Sequence, residues 1–442
     1  MRAGIGLAFV LLNSTIGGIG IAAAPEAAPD DPLLEALVAE ALERNPDLLA
    51  ARESLAAAWA RPDQARALPD PMLSVTYTND GWSPTLGERD MTTLGLMWSQ
   101  DLPYPGKRGL RAEIFAREAG EESARVDRVR LGIVAAVKRA YYGLLLARDL
   151  QALLTEQEEV WNEIEGVARA RYAVGEGAQQ DVLRVQVEVT RLGQLGAELQ
   201  ADVEVRLAEL DALLDRAADT PLSTTARLSL RPDVRDLEGL MPALEAASPE
   251  MRAALLASER EGLAVSLARR EFKPDLSLQA AYMNRGGLDA MWQAGVGVRL
   301  PLSRSKRRAA LLEAEARLRA VERRRESVRL RLRARTQQRL AQLRATERIA
   351  ELYGNGIIPQ AQMSVEAAIA NYQAGKLPFI SVLEALTRLY GDRTTYLRLL
   401  ARHETTRAAL EEASLGPEAG MPATGTPAMG APSLGTADTM GN

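Results

Sequence analysis

Tyr172 to Leu183 reads YAVGEGAQQDVL, and Tyr372 to Leu383 reads YQAGKLPFISVL. Tyr, Gly, Val and Leu recur between the two at a constant offset of 200 residues. Each stretch lies between two long segments of helical pattern. A Gly just past one helix, followed by a polar or proline-marked restart, describes a tight helix–turn–helix tip. A single copy reads equally well as an ordinary turn between antiparallel helices. The matched pair points to a duplicated chain whose two tips serve docking or gating rather than catalysis.

Outward from the first tip, Gly109 to Ala173 contains no proline. At 1.5 Å per residue, about 65 residues make a helix near 100 Å long, far beyond globular norms. A return helix is predicted from Gln179 to Leu214. Around the second tip, a long helix is predicted from Arg304 to Ala374, with a break at Tyr353-Gly354-Asn355-Gly356 and a restart at Pro359. Its partner runs from Phe379 to Ala413.

Upstream of each long helix the period changes from 3.6 to 2. Leu73, Val75 and Tyr77 alternate with Ser74, Thr76 and Thr78. After a loop carrying Asp80-Gly81, Leu94, Leu96 and Trp98 alternate with Thr93, Gly95 and Ser99. This predicts a hairpin of two strands of about ten residues each, long enough to cross a bilayer when tilted. In the second half, Leu276, Leu278 and Tyr282 precede Arg285-Gly286-Gly287, and Trp292, Val296 and Val298 follow it. Helical stretches precede both hairpins. The first is amphipathic from Leu33 to about Ala58, restarts at Asn45-Pro46, and is expected to end at Arg61-Pro62 and Pro69-Asp70-Pro71.

Landmarks fix the duplication. Ser248-Pro249 stands 203 residues after Asn45-Pro46, and Pro274 stands 203 after Pro71. Leu300-Pro301 matches Leu102-Pro103, and Lys306-Arg307 matches Lys107-Arg108. The predicted organisation is a signal peptide (1–24), a linker (25–32), a first repeat (33–215, hairpin 71–102), a linker (216–239), a second repeat (240–413, hairpin 274–301) and a disordered Gly/Pro/Ala-rich tail (414–442). The apolar run from Ile5 to Ala24 ends in Ala22-Ala23-Ala24, which fits a cleaved leader better than a membrane anchor.

The 442 residues are 47% hydrophobic, 26% charged and only 4% aromatic, a composition of long helices with small interdigitating side chains. A net charge of −5 leaves no nucleic-acid footprint. The Arg-rich run from Arg304 to Arg348 is interspersed with Glu313, Glu315, Glu322, Glu326 and Glu347, as on a solvated helix face. Cys is absent, which excludes disulfides and thiolate metal sites. His403 is the single histidine and cannot build a histidine cluster. Met421, Met429 and Met440 in the tail are too irregularly spaced for a soft-metal site. No Walker loop, nucleophile–histidine pairing or dinucleotide fingerprint is present, so no cofactor and no enzymatic activity are expected.

The strands then decide the environment. One face of each is apolar without interruption, while the other carries Ser, Thr, Gln, Gly and Arg299. An apolar exterior and polar interior is the transmembrane barrel pattern. Four strands in hydrocarbon leave edge N–H and C=O groups unsatisfied at several kcal/mol each. They cannot close alone, since barrels begin at about eight strands. Several chains must therefore share one barrel, and three would give twelve strands with room for a channel. The competing reading is a soluble periplasmic coiled-coil scaffold or adaptor with its strands packed on a core.

Taken together, residues 33 to 413 resemble the TolC family of outer-membrane efflux channels. The resemblance is carried by LPDPMLSV (Leu68 to Val75), DLPYPGKRG (Asp101 to Gly109), the two tips and Gly356-Ile357-Ile358-Pro359. The DLPYPGKRG and Ile-Ile-Pro features look most like the branch that serves heavy-metal cation exporters. The resemblance implies an α+β membrane protein: duplicated long helical hairpins forming a coiled-coil tunnel, plus four strands per chain in a trimeric twelve-stranded barrel. It also implies outer-membrane location in a Gram-negative bacterium, contact with outer-membrane lipid, and extension into the periplasm. Its partners would be a periplasmic adaptor and an inner-membrane pump, of the RND type. Drug-efflux and type I secretion outlets share the same parts.

The family's adaptor-facing tips match Val174-Gly175 and Ala374-Gly375, with Lys376 beside them. Its acidic gate matches Asp181 in the first copy; in the second, one acid falls on Ser381 and the other on Glu384. Tyr372 matches a gate tyrosine. The family's basic latch falls on Leu377, with Lys376 one position away. Rings of Asp181 and Glu384 around a threefold axis would favour cation passage. As isolated residues, the same carboxylates are equally consistent with a solvated helix face.

Overall fold

A computed structural model describes residues 31–86, 89–218, 220–232 and 235–412. The predicted leader (1–24) and tail (414–442) lie outside the described residues, as do Met421, Met429 and Met440. The chain folds as two copies of one plan. The first is α1 (Pro32–Arg44), α2 (Pro46–Arg66), β1 (Met72–Thr78), β2 (Thr93–Leu102), α3 (Lys107–Ala173) and α4 (Gln179–Leu214). The second is α5 (Leu237–Ala247), α6 (Pro249–Arg270), β3 (Asp275–Arg285), β4 (Leu288–Arg299), α7 (Arg304–Leu352), a π-helical turn (Tyr353–Ile357), α8 (Ile358–Gln373) and α9 (Phe379–Glu411). α5 begins inside the stretch 216–239 expected to be linker.

Asn45 explains the first restart. Its side chain caps α2 by accepting from the amides of Asp47 (3.0 Å) and Leu48 (3.4 Å), and its amide nitrogen donates to the Leu213 carbonyl of α4 (3.0 Å). One buried residue thus breaks the chain into two helices and pins the break to a third. Ser248 caps α6 in the same place of the second repeat. Pro62, expected to end α2, instead lies inside it, and the helix continues to Arg66. A proline removes one backbone bond, and packing of α2 along α3 holds the helix through that gap.

The predicted break at Tyr353-Gly354-Asn355-Gly356 is also not a break. Backbone conformation stays helical from Leu352 to Ile358, but the bonding widens to a π-turn. The cause is countable. Lys107 and Lys306 are 199 residues apart, whereas Tyr172 and Tyr372 are 200 apart. The 199 offset governs burial before the turn: Ile133, Val137, Tyr141 and Leu144 are buried in α3, and Leu332, Thr336, Leu340 and Leu343 in α7. One residue has been added, and a π-turn is how a helix absorbs one residue.

The four strands form one antiparallel sheet in the order β1-β2-β3-β4. β1 has 7 residues, shorter than expected, because Asn79 begins a loop tied by bonds from its side chain to the carbonyls of Gly81 (2.8 Å) and Ser83 (3.0 Å). β3 and β4 have 11 and 12 residues and turn tightly at Gly286, whose φ is +67°. Register keeps the apolar face nearly continuous, with Gln100 opposite Leu278 and Asn284 opposite Leu94 as its polar members. Leu73 pairs with Trp98 and Val75 with Leu96; Leu96 pairs with Tyr282 and Leu102 with Leu276; Leu278 pairs with Val296 and Tyr282 with Trp292. This apolar face is open: Val75 is 71% and Trp292 80% exposed. The helices bury their own stripes against one another, around Tyr141 and Leu144 midway along α3 and around Trp161 and Phe379 toward the tips. No helix among the described residues is long and apolar enough to cross a membrane.

A buried lysine joins sheet to helices. Gly106, at φ +87°, turns the chain into α3 and places Lys107 next. The Lys107 ammonium lies 3.1 Å from Glu271 and 3.0 Å from Asp275 and donates to the Lys273 carbonyl at 3.2 Å. Tyr104 N–H donates to Asp275 at 2.7 Å. The PYPGK segment of repeat one is therefore bolted to the α6–β3 corner of repeat two.

Candidate gate and docking tips

Both tips close by the same hydrogen-bond logic. At the first, Gly175 takes φ +77°, its amide bonds the Tyr172 carbonyl (3.0 Å) and the Glu176 amide bonds the Arg171 carbonyl (2.9 Å). At the second, Gly375 takes φ +71°, its amide bonds the Tyr372 carbonyl (3.0 Å) and the Lys376 amide bonds the Asn371 carbonyl (2.8 Å). These are Schellman caps, and the left-handed residue is why each tip needs glycine. Val174, Ala374 and Lys376 flank the glycines and are exposed. Ala178 and Pro378 are extended, which releases the chain into α4 and α9.

The predicted gate residues separate on inspection. Tyr372 is buried, its ring edge-on to Phe379 with centroids 5.5 Å apart. Its hydroxyl is enclosed without a hydrogen-bond partner. Burial pushes this phenol above its ordinary range; the nearby Asp181 carboxylate adds to the rise and Arg171 opposes it. Asp181 stands half-buried in the first turn of α4, where the helix N-terminus favours a negative charge. It is close enough to act on Tyr372 electrostatically, yet no hydrogen bond joins them. Ser381 is half-buried and its amide bonds the Pro378 carbonyl at 3.1 Å. Glu384 is exposed on α9. Within one chain, Tyr372 and Asp181 are brought together, while Glu384 faces solvent by itself.

The residue that ties the tips is Arg171, which the sequence reading passed over. Its guanidinium donates to the Tyr372 carbonyl on the second hairpin and to the Glu176 carbonyl of its own tip (3.2 Å). It also lies over the Tyr372 ring, 4.8 Å from the centroid. Neither Leu377 nor Lys376 makes any such bridge among the described residues; the basic side chain that spans the two tips is Arg171, on the opposite hairpin. One signal was available: Arg171 stands where the second copy has Asn371, directly before the Tyr that both copies share.

Further up the bundle, His403 is fully buried between α7 and α9. Its Nε2 lies 3.0 Å from Glu347 and its Nδ1 3.4 Å from Glu404. Burial alone would depress its pKa, but the two carboxylates outweigh burial and the imidazole is held above its ordinary value. Glu404 is lowered despite its own burial, because His403 and Arg407 stabilise its charge. No His, Cys, Asp and Glu cluster that could hold a metal ion occurs among the described residues.

The profile of the outer membrane efflux protein family matches residues 37–216 and 240–416. Nickel-cobalt-cadmium resistance protein NccC of Alcaligenes xylosoxydans is 26% identical over 347 residues, covering 78% of this chain and 76% of the relative. Cobalt-zinc-cadmium resistance protein CzcC of Cupriavidus metallidurans is 24% identical over 397 residues, covering 89% and 92%. Among solved structures, CusC superposes with a TM-score of 0.75 at 20% identity, covering 87% of this chain and 92% of that one. VceC of Vibrio cholerae gives 0.74 at 20%, covering 86% and 95%. At these identities the structural likeness speaks for the fold.

Proposed function

The chain belongs to the outer membrane efflux protein family, and on that footing we propose that it is the outer-membrane duct of a tripartite exporter of heavy-metal cations. The observation that carries this reading is the sheet. It has an exposed, mostly apolar face, a face rich in Ser, Thr, Gln and Gly on its other side, and two open edges. Such a ribbon is stable in hydrocarbon only when its edges are paired. Three copies supply twelve strands and enclose an aqueous lumen. The long helices continue that lumen into the periplasm.

In this reading the tips meet a periplasmic adaptor through Val174, Gly175, Ala374, Gly375 and Lys376, and an RND-type pump in the inner membrane drives transport. Asp181, with Glu384, Tyr372 and Ser381 nearby, lines the narrow periplasmic mouth. Rings of carboxylates there would favour cations. The cargo assignment rests on the metal-resistance names of the relatives. A core-packed soluble scaffold would bury the apolar strand face, and that face is exposed.

The test has two parts. Membrane fractionation is expected to recover the protein in the outer membrane as a heat-modifiable trimer; a soluble monomer would refute the duct. Deletion of the gene is expected to lower tolerance to nickel, cobalt or cadmium and to leave tolerance to dyes and detergents unchanged. The opposite pattern would refute the cargo.

A further inference from the structure

The sheet carries its methionines on the face where packing gives them least reason to be. The strands hold four: Met72 on β1, Met97 on β2, Met283 on β3 and Met291 on β4. Side chains alternate along a strand, and the apolar face takes Leu73, Leu96, Tyr282 and Trp292. Each methionine is the immediate neighbour of one of these, so all four fall on the polar face. A thioether kept for its bulk alone would gain by lying among Leu, Val and Trp. Instead Met72 pairs with Ser99, Met97 with Ser74 and Ala281, and Met283 with Gly95.

Register also brings the four together. Met283 and Met291 stand directly opposite one another. Met97 lies one diagonal step from Met283, because Met97 pairs with Ala281 and Met283 with Gly95. Met72 lies one diagonal step from Met97, because Met72 pairs with Ser99 and Ser74 with Met97. Opposed residues have Cβ atoms about 4.5–5.5 Å apart and diagonal ones are about 7–8 Å apart, within reach of long side chains. Gly95 opens the space: a Cβ built there would lie 3.7 Å from Met283 Cγ, so Met283 leans over β2, the strand that carries Met97. The result is a diagonal line of thioethers across all four strands. It climbs from Met72, next to the helical end of the sheet, to Met283 and Met291 near the β3–β4 turn.

We infer that this line binds soft monovalent cations of the Cu(I) and Ag(I) class, with Met97, Met283 and Met291 as the central donors and Met72 as a further stop. The donor set dictates the class. Thioether sulfur is soft and selects Cu(I)-like ions, whereas hard divalent cations prefer carboxylate, carbonyl and water oxygen. A methionine side chain is unbranched and flexible, so neighbouring sulfurs can converge on one ion without backbone movement. The donors are uncharged and do not repel one another before the ion arrives. They also carry no titratable proton, so binding is independent of pH across the neutral range. The binding rests on the sheet alone; its use in transport rests on the duct reading, in which this face lines the lumen. A row of weak sites suits passage, because an ion must be held firmly enough to enter and loosely enough to leave.

The purified full-length protein tests this with Ag(I) as the probe, since Ag(I) needs no reductant. Peroxide converts accessible methionine to its sulfoxide, and peptide mass spectrometry reads each residue separately. With Ag(I) at about ten times its Kd, the free fraction of the site falls about tenfold, and oxidation of Met97, Met283 and Met291 is expected to slow to match. Met363, 62% exposed on α8, is expected to oxidise at its original rate, and Ni(II) at the same concentration is expected to protect none of them. Met283→Leu combined with Met291→Leu nearly conserves volume, and a melting curve verifies its fold. Even supporting groups of a metal site are worth about 10–100-fold in affinity, so Ag(I) protection of Met97 in this variant should need at least about tenfold more silver. Undiminished oxidation of the three strand methionines, or equal protection of Met363, would overturn the site while leaving the duct standing. Equal protection by Ni(II) would overturn the soft-cation assignment. Protection in a chain that fractionates as a soluble monomer would keep the site and remove the duct.

Discussion

Replacing Arg171 with Ala should loosen the periplasmic mouth. Arg171 donates across the two hairpins to the Tyr372 carbonyl, holds its own tip through the Glu176 carbonyl, and covers the Tyr372 ring. A hydrogen bond from a charged donor is worth about 1.5–3 kcal/mol when well shielded; at this half-exposed site, solvent screening brings it to about 1 kcal/mol. The ring contact adds about 0.5–1 kcal/mol. Together the latch holds the tips by about 2 kcal/mol, so its loss should raise the population of the parted state about thirtyfold. Planar-bilayer recording of the purified channel reads this as a higher mean conductance, and amide exchange reads it as faster exchange in residues 170–178 and 371–379. Tyr372→Leu keeps the carbonyl and removes the ring, so it should cost less than half as much. Arg171→Lys keeps the charge but not the fork and should fall between. Unchanged conductance together with unchanged exchange in Arg171→Ala would refute the latch.

Gly175→Ala and Gly375→Ala each force an L-residue into the left-handed region and should cost about 1 kcal/mol of tip stability, seen as faster amide exchange in the turn. A Cβ at Gly175 meets nothing within 4 Å and one at Gly375 meets only Arg171 at 3.5 Å, so the penalty comes from the backbone and Asn should be better tolerated than Ala. Asp181→Ala should reduce cation selectivity in bilayers and lower the Tyr372 phenol pKa, because Asp181 helps to raise it; ultraviolet titration and reversal potentials check the two effects. His403→Gln should flatten the pH dependence of thermal stability. The folded-state pKa of His403 is raised, so its contribution is fully present below the ordinary value of 6.5 and is lost as pH rises through the elevated one. Glu404 is lowered, so its contribution is present above 4.5 and is lost as pH falls through the depressed value. Melting curves across this range should show wild type losing stability on the alkaline side and the variant not doing so.

The periodic elements were legible in the sequence because each rests on a local rule. Strand alternation located β2, β3 and β4, although β3 runs on to Arg285 and β4 starts at Leu288, before the alternation resumes at Trp292, and the absence of proline gave α3. Asn45-Pro46 and Ser248-Pro249 gave the paired helix restarts, since a capping side chain and a proline at the first helical position act within one turn. Other features depend on distant residues and left no local trace. Pro62 looks like a helix stop until α2 is seen lying along α3. Lys107 looks like one more surface cation until Glu271 and Asp275 arrive from the other repeat. Arg171 is ordinary in the last turn of a helix, where the dipole welcomes a cation, and only the fold shows its carbonyl partner lying 201 positions away. His403 could be dismissed as a metal ligand because it stands alone, but its burial between two carboxylates is a fact of packing.

The π-turn shows how the duplication constrains the molecule as a machine part. Adding one residue to a continuous α-helix rotates everything beyond it by about 100° and advances it by about 1.5 Å. In the second repeat that would swing Tyr372 and the tip out of line with their first-repeat counterparts, while the corner near Lys306 stayed in place. Yet the two tips close with the same bonds at corresponding residues, and the residues above the turn keep the burial pattern of α3. The wide turn at Tyr353–Ile357 absorbs the added residue where it occurs. Both ends of the long helix are therefore held in repeat register at once, the sheet corner at one end and the tip at the other.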